Sequence, residues 1–374
     1  MRNVPPSMIN RLIFFVIGIL GLFSLFNFSR AYYFNINLLF DGLFFCALAL
    51  SNRVSVNKSR LSLVSFLTLY LAMFSFNSYA DGIHAIDILI AVKPIVYLML
   101  LFFFIPAGVR RSQLSLATKI LLFLFLLKYS ISIVFDLNPR PLVFRENNFE
   151  LLFLSGFLFS ELIIYRKLTL FKLIGFLGVV ALSGSKSGLL LAFYLVVIYP
   201  VFVGLVNIKT FGILFFFALA PSLIYLLTIL DFEGIDRFAM LVVFVNEVVD
   251  KGFLETFFGN ASLTPLSAEA CRSLYYYPGL FSSSGDGTCF GLILHLAHLR
   301  FIIDHGILAY AVLIILNFAL LKNYRFKFWT MVALLFPVFI NGLSVSAFYG
   351  PFYALYMITV ISSAQGYYKC SIRS

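Results

Sequence analysis

Long apolar runs, each closed by a short polar turn, set the pattern of this chain. The runs are roughly 17–25 residues long, the length that carries an α-helix across a bilayer. Twelve spans are expected, centred near Ile19, Phe44, Tyr70, Tyr97, Phe125, Gly156, Leu177, Val196, Phe217, Ala311, Leu335 and Met357. Asn35, Asn37 and Asp41 interrupt the second, and only "SGSKSG" separates the seventh from the eighth. A membrane β-barrel would instead show alternating segments of about ten residues. The pattern therefore predicts an all-α polytopic membrane protein. Spans one to nine fall in residues 1–230, a long polar stretch in 231–290, and spans ten to twelve in 291–374. The opening "MRNVPPSMINRLIFFVIGILGLFSLF" has the shape of a signal sequence. No small-x-small cleavage site follows it, so it reads as a retained first span.

Composition agrees: 62% of residues are hydrophobic and 11% charged, against about 25% charged in a soluble domain. The net charge of +11 need not mean nucleic acid, because orientation bias accounts for it. With the N-terminus in the cytoplasm, seventeen of the 27 basic residues fall in short inside segments, as the positive-inside rule favours. The other ten are Arg30, Lys93, Lys128, Arg140, Arg145, Lys186, Arg237, Lys251, Arg272 and Arg300. A charge near the bilayer centre costs about 2.5–3.5 kcal/mol, so such residues tend to have a partner or a task.

The 231–290 stretch is too long for a simple connection. Its "FAMLVVFVNEVV" and "YYYPGLF" segments predict a folded partial lid. The cysteines show no metal-ligand spacing. Cys271 and Cys289 share this stretch, and both a disulfide and two free thiols are open for them.

Four polar groups invite chemistry. In "FRENNFELLFLSGFLF", Arg145, Glu146, Asn147 and Asn148 open a span, where an Arg fork and a helix N-terminus suit a phosphate oxygen. The alternative is ordinary capping. "GSKSG" makes a tight turn around Lys186, which suits an anion-binding nest or a plain connection. Arg237 follows three acids in "DFEGIDRF". Finally, "GTCFGLILHLAHLRFIIDHG" gathers His295, His298, Arg300, Asp304 and His305. His295 and His305 stand about 15 Å apart on a continuous helix, so the three histidines cannot ligate one metal.

In their order, these segments resemble the bacterial polysaccharide polymerase and O-antigen ligase superfamily, the Wzy and WaaL families. His295, Leu299, Ile302, Asp304 and Gly306 follow its C-terminal spacing. Leu296 stands where the family has Asn, and Ala309 where it has a second Gly. "RENNFE", "GSKSG" and Arg237 resemble its Arg-bearing loops. The resemblance implies a periplasmic-face glycosyltransferase of the bacterial inner membrane that needs no cofactor. Its donor is an undecaprenyl-diphosphate-linked oligosaccharide, membrane lipid surrounds it, and a chain-length regulator is a candidate partner. By the same resemblance Arg145 and Arg237 bind the diphosphate and His295 is the base, with Lys186, Arg300, Glu146 and Arg140 in support. An O-antigen ligase and a lipid-linked oligosaccharide transporter are the alternatives, with Lys93 and Lys128 as the clues to transport.

The charge pattern places both termini in the cytoplasm. A reporter that works only in the periplasm should be silent when fused after Ser374, and activity there would reverse the orientation.

Overall fold

The computed structural model describes residues 16–25, 35–49, 58–104, 106–137, 141–144, 146–206 and 236–371. Among them every regular element is helical. The helices are α1 (Val16–Leu25), α2 (Ile36–Ala49), α3 (Lys58–Ala80), α4 (Ala85–Phe103), α5 (Arg111–Val134), α6 (Asn147–Phe159), α7 (Leu170–Ser183) and α8 (Lys186–Val203). Then come α9 (Asp236–Lys251), α10 (Phe253–Phe258), α11 (Ala268–Ser273), α12 (Ala297–Lys322), α13 (Phe328–Gly342) and α14 (Pro351–Ser371). A π-turn, Ser160–Ile164, continues α6.

Among the described residues six helices are long and apolar enough to cross a membrane: α3, α4, α5, α6 with its π-turn, α8 and α12. Four shorter ones, α1, α2, α7 and α13, are also apolar. Eleven of the twelve expected centres lie in helices, and the ninth, near Phe217, lies outside the described residues.

α6 and α14 form the middle of the bundle, with α2, α5, α8 and α13 around them. Their side chains are almost wholly buried, from Leu151 through Phe159 on α6 and from Phe352 through Ile361 on α14. α3 packs on α4 and leaves Phe66, Leu69, Met73 and Phe76 exposed. Such faces suit lipid, because a helix satisfies its own backbone hydrogen bonds.

The turns sort to two ends. The 81–84, 141–146, 184–185 and 343–350 connections gather at one end, joined by hydrogen bonds such as Asn147 Nδ2 to Ser183 O and Asn341 Nδ2 to Asn148 O. At the other end, Val109 N donates to Ser362 O and Tyr165 OH to Val109 O. That second end carries Arg110, Arg111, Arg166, Lys167, Lys322, Arg325 and Lys327.

Residues 236–296 form a cap over the first end. Its own small core joins Met240, Leu266, Leu274, Ile293 and Leu294, with Ile303 of α12 beneath. A Cys271–Cys289 disulfide crosses that core, with the Cα atoms 5.6 Å apart. Leu263 N donates to Ser78 Oγ at 2.8 Å, and Asn77 Nδ2 to Ala261 O at 3.2 Å. At Gly306 the backbone of α12 breaks to φ 88°, ψ 164°. Gly259 of the cap sits directly on that break: a Cβ on Gly259 would lie 2.2 Å from His305 O. Both glycines are needed, for their positive φ (77° and 88°) and for the close approach.

Charges inside the bundle are partnered. Lys93 Nζ meets Asp41 Oδ2 at 2.6 Å, and Tyr97 OH donates to the other oxygen of the same carboxylate. Lys172, 1% exposed at its side chain, pairs with Glu161 across α7 and the π-turn, and Thr118 Oγ1 also donates to Glu161. Lys128 donates to Ser24 O. Asp41 therefore tightens the second helix rather than interrupting it.

Removing one member of a buried pair leaves an uncompensated charge and costs about 3–5 kcal/mol. Lys172→Met should lower unfolding stability in detergent by about that amount. Adding Glu161→Gln should recover most of it, and a fully stable single variant would contradict the account.

Candidate functional site

At the capped end, two of the polar segments singled out in the sequence meet. α7 stops because Gly184 adopts a left-handed conformation (φ 60°), which glycine takes without steric cost. α8 starts at once, since Ser185 Oγ caps it by accepting from Gly188 N at 2.9 Å. The turn thus presents Ser185 and Ser187 together. Both hydroxyls donate to Asn148 Oδ1, the second at 2.9 Å. Asn148 Nδ2 in turn donates to Glu146 Oε1 at 3.2 Å. Lys186 stands exposed between the two serines at the α8 N-terminus, where backbone N–H groups favour negative charge.

The chain before α6 is held by a residue that spacing alone did not mark. Glu150 is fully buried and accepts from Val143 N at 2.9 Å, Phe144 N at 2.6 Å and Tyr129 OH at 3.2 Å. Its carboxylate holds the backbone of Val143 and Phe144 against the first turn of α6. Arg145, the expected diphosphate ligand, and Arg140 lie outside the described residues. Of Arg237 the structure describes the backbone, at the start of α9.

The turn from α13 to α14 links this corner to the histidine-bearing segment. Asn341 reaches Asn148 as above, and Ala297 N donates to Val345 O at 3.3 Å. Two of the histidines are engaged in packing. His298 bonds Phe339 O at 2.9 Å through Nε2 and Tyr310 OH at 2.6 Å through Nδ1. His305 bonds Ala91 O at 3.0 Å and Tyr70 OH at 2.9 Å. His295 differs from both. It precedes the helix, is half-buried, and its ring lies 5.3 Å from that of Tyr277 in the cap.

Arg300 does not reach an outer surface. It is 1% exposed, its guanidinium lies 3.5 Å over the Tyr349 ring, and its Nε lies 3.5 Å from Asp304 Oδ2. Asp87, on the first turn of α4, binds the cap segment 282–283. At the exposed tip of that segment the Thr288 hydroxyl and amide hold the Asp286 carboxyl below the usual carboxylate range. Among the described residues no group of three or more His, Cys, Asp or Glu is placed to hold a metal ion.

Comparison with protein families, with curated proteins and with solved structures found no match for this chain. The site is therefore read from its own geometry. Lys186 and Glu146 share one corner, Arg300 is buried beneath the cap, and His295 stands between cap and helix. Asn148, Glu150, Asn341, Asp87 and Tyr349 join these pieces. Of the five, the sequence reading marked only Asn148, as one member of "RENN".

Asn148→Ala removes the acceptor shared by two buried serines. It should cost about 1–3 kcal/mol of stability, read by unfolding in detergent. Lys186→Gln should leave stability unchanged because the side chain is exposed.

Proposed function

We propose that the chain is a membrane glycosyltransferase of the polysaccharide-polymerase type, working on undecaprenyl-diphosphate-linked repeat units at the periplasmic face of a bacterial inner membrane. One observation carries this reading: the "RENN" and "GSKSG" segments are bonded through Asn148, Ser185 and Ser187, and Asn341 ties them to the turn beside the His295 segment. Segments far apart in sequence thus converge at one end of the bundle, as a shared lipid-diphosphate site requires. Two features support the sidedness. A disulfide in the cap suits an oxidising compartment. The basic residues of the opposite end suit the cytoplasm, which would also hold both termini.

In the proposed reaction an acceptor hydroxyl oxygen attacks the donor's anomeric carbon. The bond from that carbon to the diphosphate oxygen breaks, and its electron pair leaves with the diphosphate. The hydroxyl proton passes to a base, for which His295 is the candidate. Arg145 and Arg237 would neutralise the departing diphosphate by bidentate hydrogen bonds. Fixed donors of this kind are worth roughly 10²–10³ in rate.

Surface polysaccharide from a deletion strain tests the class. A single repeat unit on the acceptor supports polymerase. Free lipid-linked polymer with bare core means ligase, and cytoplasmic build-up of single units means transporter. In complemented strains, Arg145→Ala, Arg237→Ala and His295→Ala should each reduce chain extension by about 10²–10³ at normal protein abundance. Arg145→Lys should rescue only in part, because it lacks the planar fork. Normal polymer from both Arg145→Lys and His295→Ala would reject the assignment.

A further inference from the structure

Beneath the cap lies a small polar chamber that the proposed reaction does not use. Asp87, Ser282, Arg300 and Asp304 line it, with Phe290 and Leu292 beside them. Asp87, Arg300 and Asp304 are 4%, 1% and 2% exposed. Tyr349 OH donates to Asp304 Oδ2 at 3.2 Å, and the Tyr349 ring holds the Arg300 guanidinium flat. Arg300 Nε and Asp304 Oδ1 have no hydrogen-bond partner although both are buried. The two residues pair with each other through Asp304 Oδ2, but a buried polar atom left without a hydrogen bond is still costly. Nε and Oδ1 therefore call for a polar partner, and the closed chamber has room for about one water.

The roof of the chamber is held by a different kind of contact. Ser282 Oγ donates to Asp87 Oδ2 at 2.6 Å, Ser283 Oγ donates to Asp87 Oδ1 at 3.1 Å, and Ser283 N donates to the same carboxylate. These serines belong to the loop closed by the Cys271–Cys289 disulfide. Its tip, with left-handed glycines at 285 and 287, is exposed. Two hydroxyls from one strap thus occupy a carboxylate that faces the Arg300–Asp304 ion pair.

We propose that this chamber binds one sugar unit of a glycan, and that residues 278–288 are the strap that opens to admit it. The naming of a glycan rests on the function proposed above. Two carboxylates against one guanidinium repel an anion, so the site does not suit the diphosphate. They suit an uncharged polyol, whose hydroxyls donate to carboxylates and accept from Arg300. Ser282 and Ser283 stand on Asp87 where ligand hydroxyls would stand, which makes the closed strap a stand-in for the ligand.

The test places Ser282→Cys in a chain carrying Cys46→Ser and Cys370→Ser, and follows labelling by a membrane-impermeant maleimide. Asp87→Asn should raise the labelling rate by at least about tenfold, since it removes a charge-assisted latch. An unchanged rate would reject the strap. Neutral oligosaccharides released by mild acid from the cell's own surface polysaccharide should slow labelling, and inorganic diphosphate should not. Arg300→Gln with Asp304→Asn keeps a neutral bonded pair, and should abolish that protection while the unfolding midpoint stays close to that of the parent. Labelling indifferent to oligosaccharide, equal protection by diphosphate, or protection that survives the double variant would each overturn the sugar site. None of these readouts needs turnover, so failure of the polymerase reading shows separately, in the deletion strain.

Discussion

A polar group inside an apolar bundle must find its partner within the protein, and this constraint organises the structure. Glu150 is the clearest instance. Buried in the middle of the bundle, it takes two backbone amides and the Tyr129 hydroxyl. In doing so it turns the chain ahead of α6 into a fixed bend. That bend delivers Glu146 and Asn148 to the serine turn before α8. The same rule sets Lys93 on Asp41 and Lys172 on Glu161, which join helices distant in sequence. In lipid such partners cannot be exchanged for water, so each pair also fixes helix register.

The cap obeys a different economy. It is small, and its core is shared with α12 through Ile303. The disulfide restrains its unfolded state. Its attachment to the bundle combines polar bonds at Ser78, Asn77 and Asp87, the close glycine contact at Gly259 and Gly306, and apolar packing of Leu263 and Phe290 on Phe74 and Val92. The polar bonds of the 282–283 segment to Asp87 can open locally, whereas the α6–α14 core cannot open without losing its packing. A rigid bundle under a separately folded cover is the arrangement that the proposed transfer would use to admit a head group and exclude water.

The titratable residues of the α12 opening divide between these two parts. His298 and His305 bind backbone carbonyls and tyrosines, and so hold helices together. Arg300 and Asp304 face the chamber beneath the cap. His295 precedes the helix and packs its ring against Tyr277 of the cap. Their clustering at one helix start thus reflects several tasks at the boundary between bundle and cap.

The sequence alone determined the all-helical membrane class and the positions of the apolar helices. Hydrophobic run length is a local property, and it survives any arrangement of neighbours. It also marked the tight "SGSKSG" turn, a long polar segment of which residues 236–290 are folded, and the two cysteines that could pair, because turn chemistry and loop length are local as well. It did not reveal that Asn148 would join "RENN" to "GSKSG", that Glu150 would bind two backbone amides and the Tyr129 hydroxyl, or that Asp87 would anchor the cap. A carboxylate near a helix start reads the same whether it faces solvent, a backbone bend or a serine strap. Arg300 is the sharpest case: spacing offered it as a ligand at the membrane surface, and only packing against Tyr349 and Asp304 decided that it is buried. Which polar groups meet is settled by contacts between residues far apart along the chain, and no local pattern carries that information.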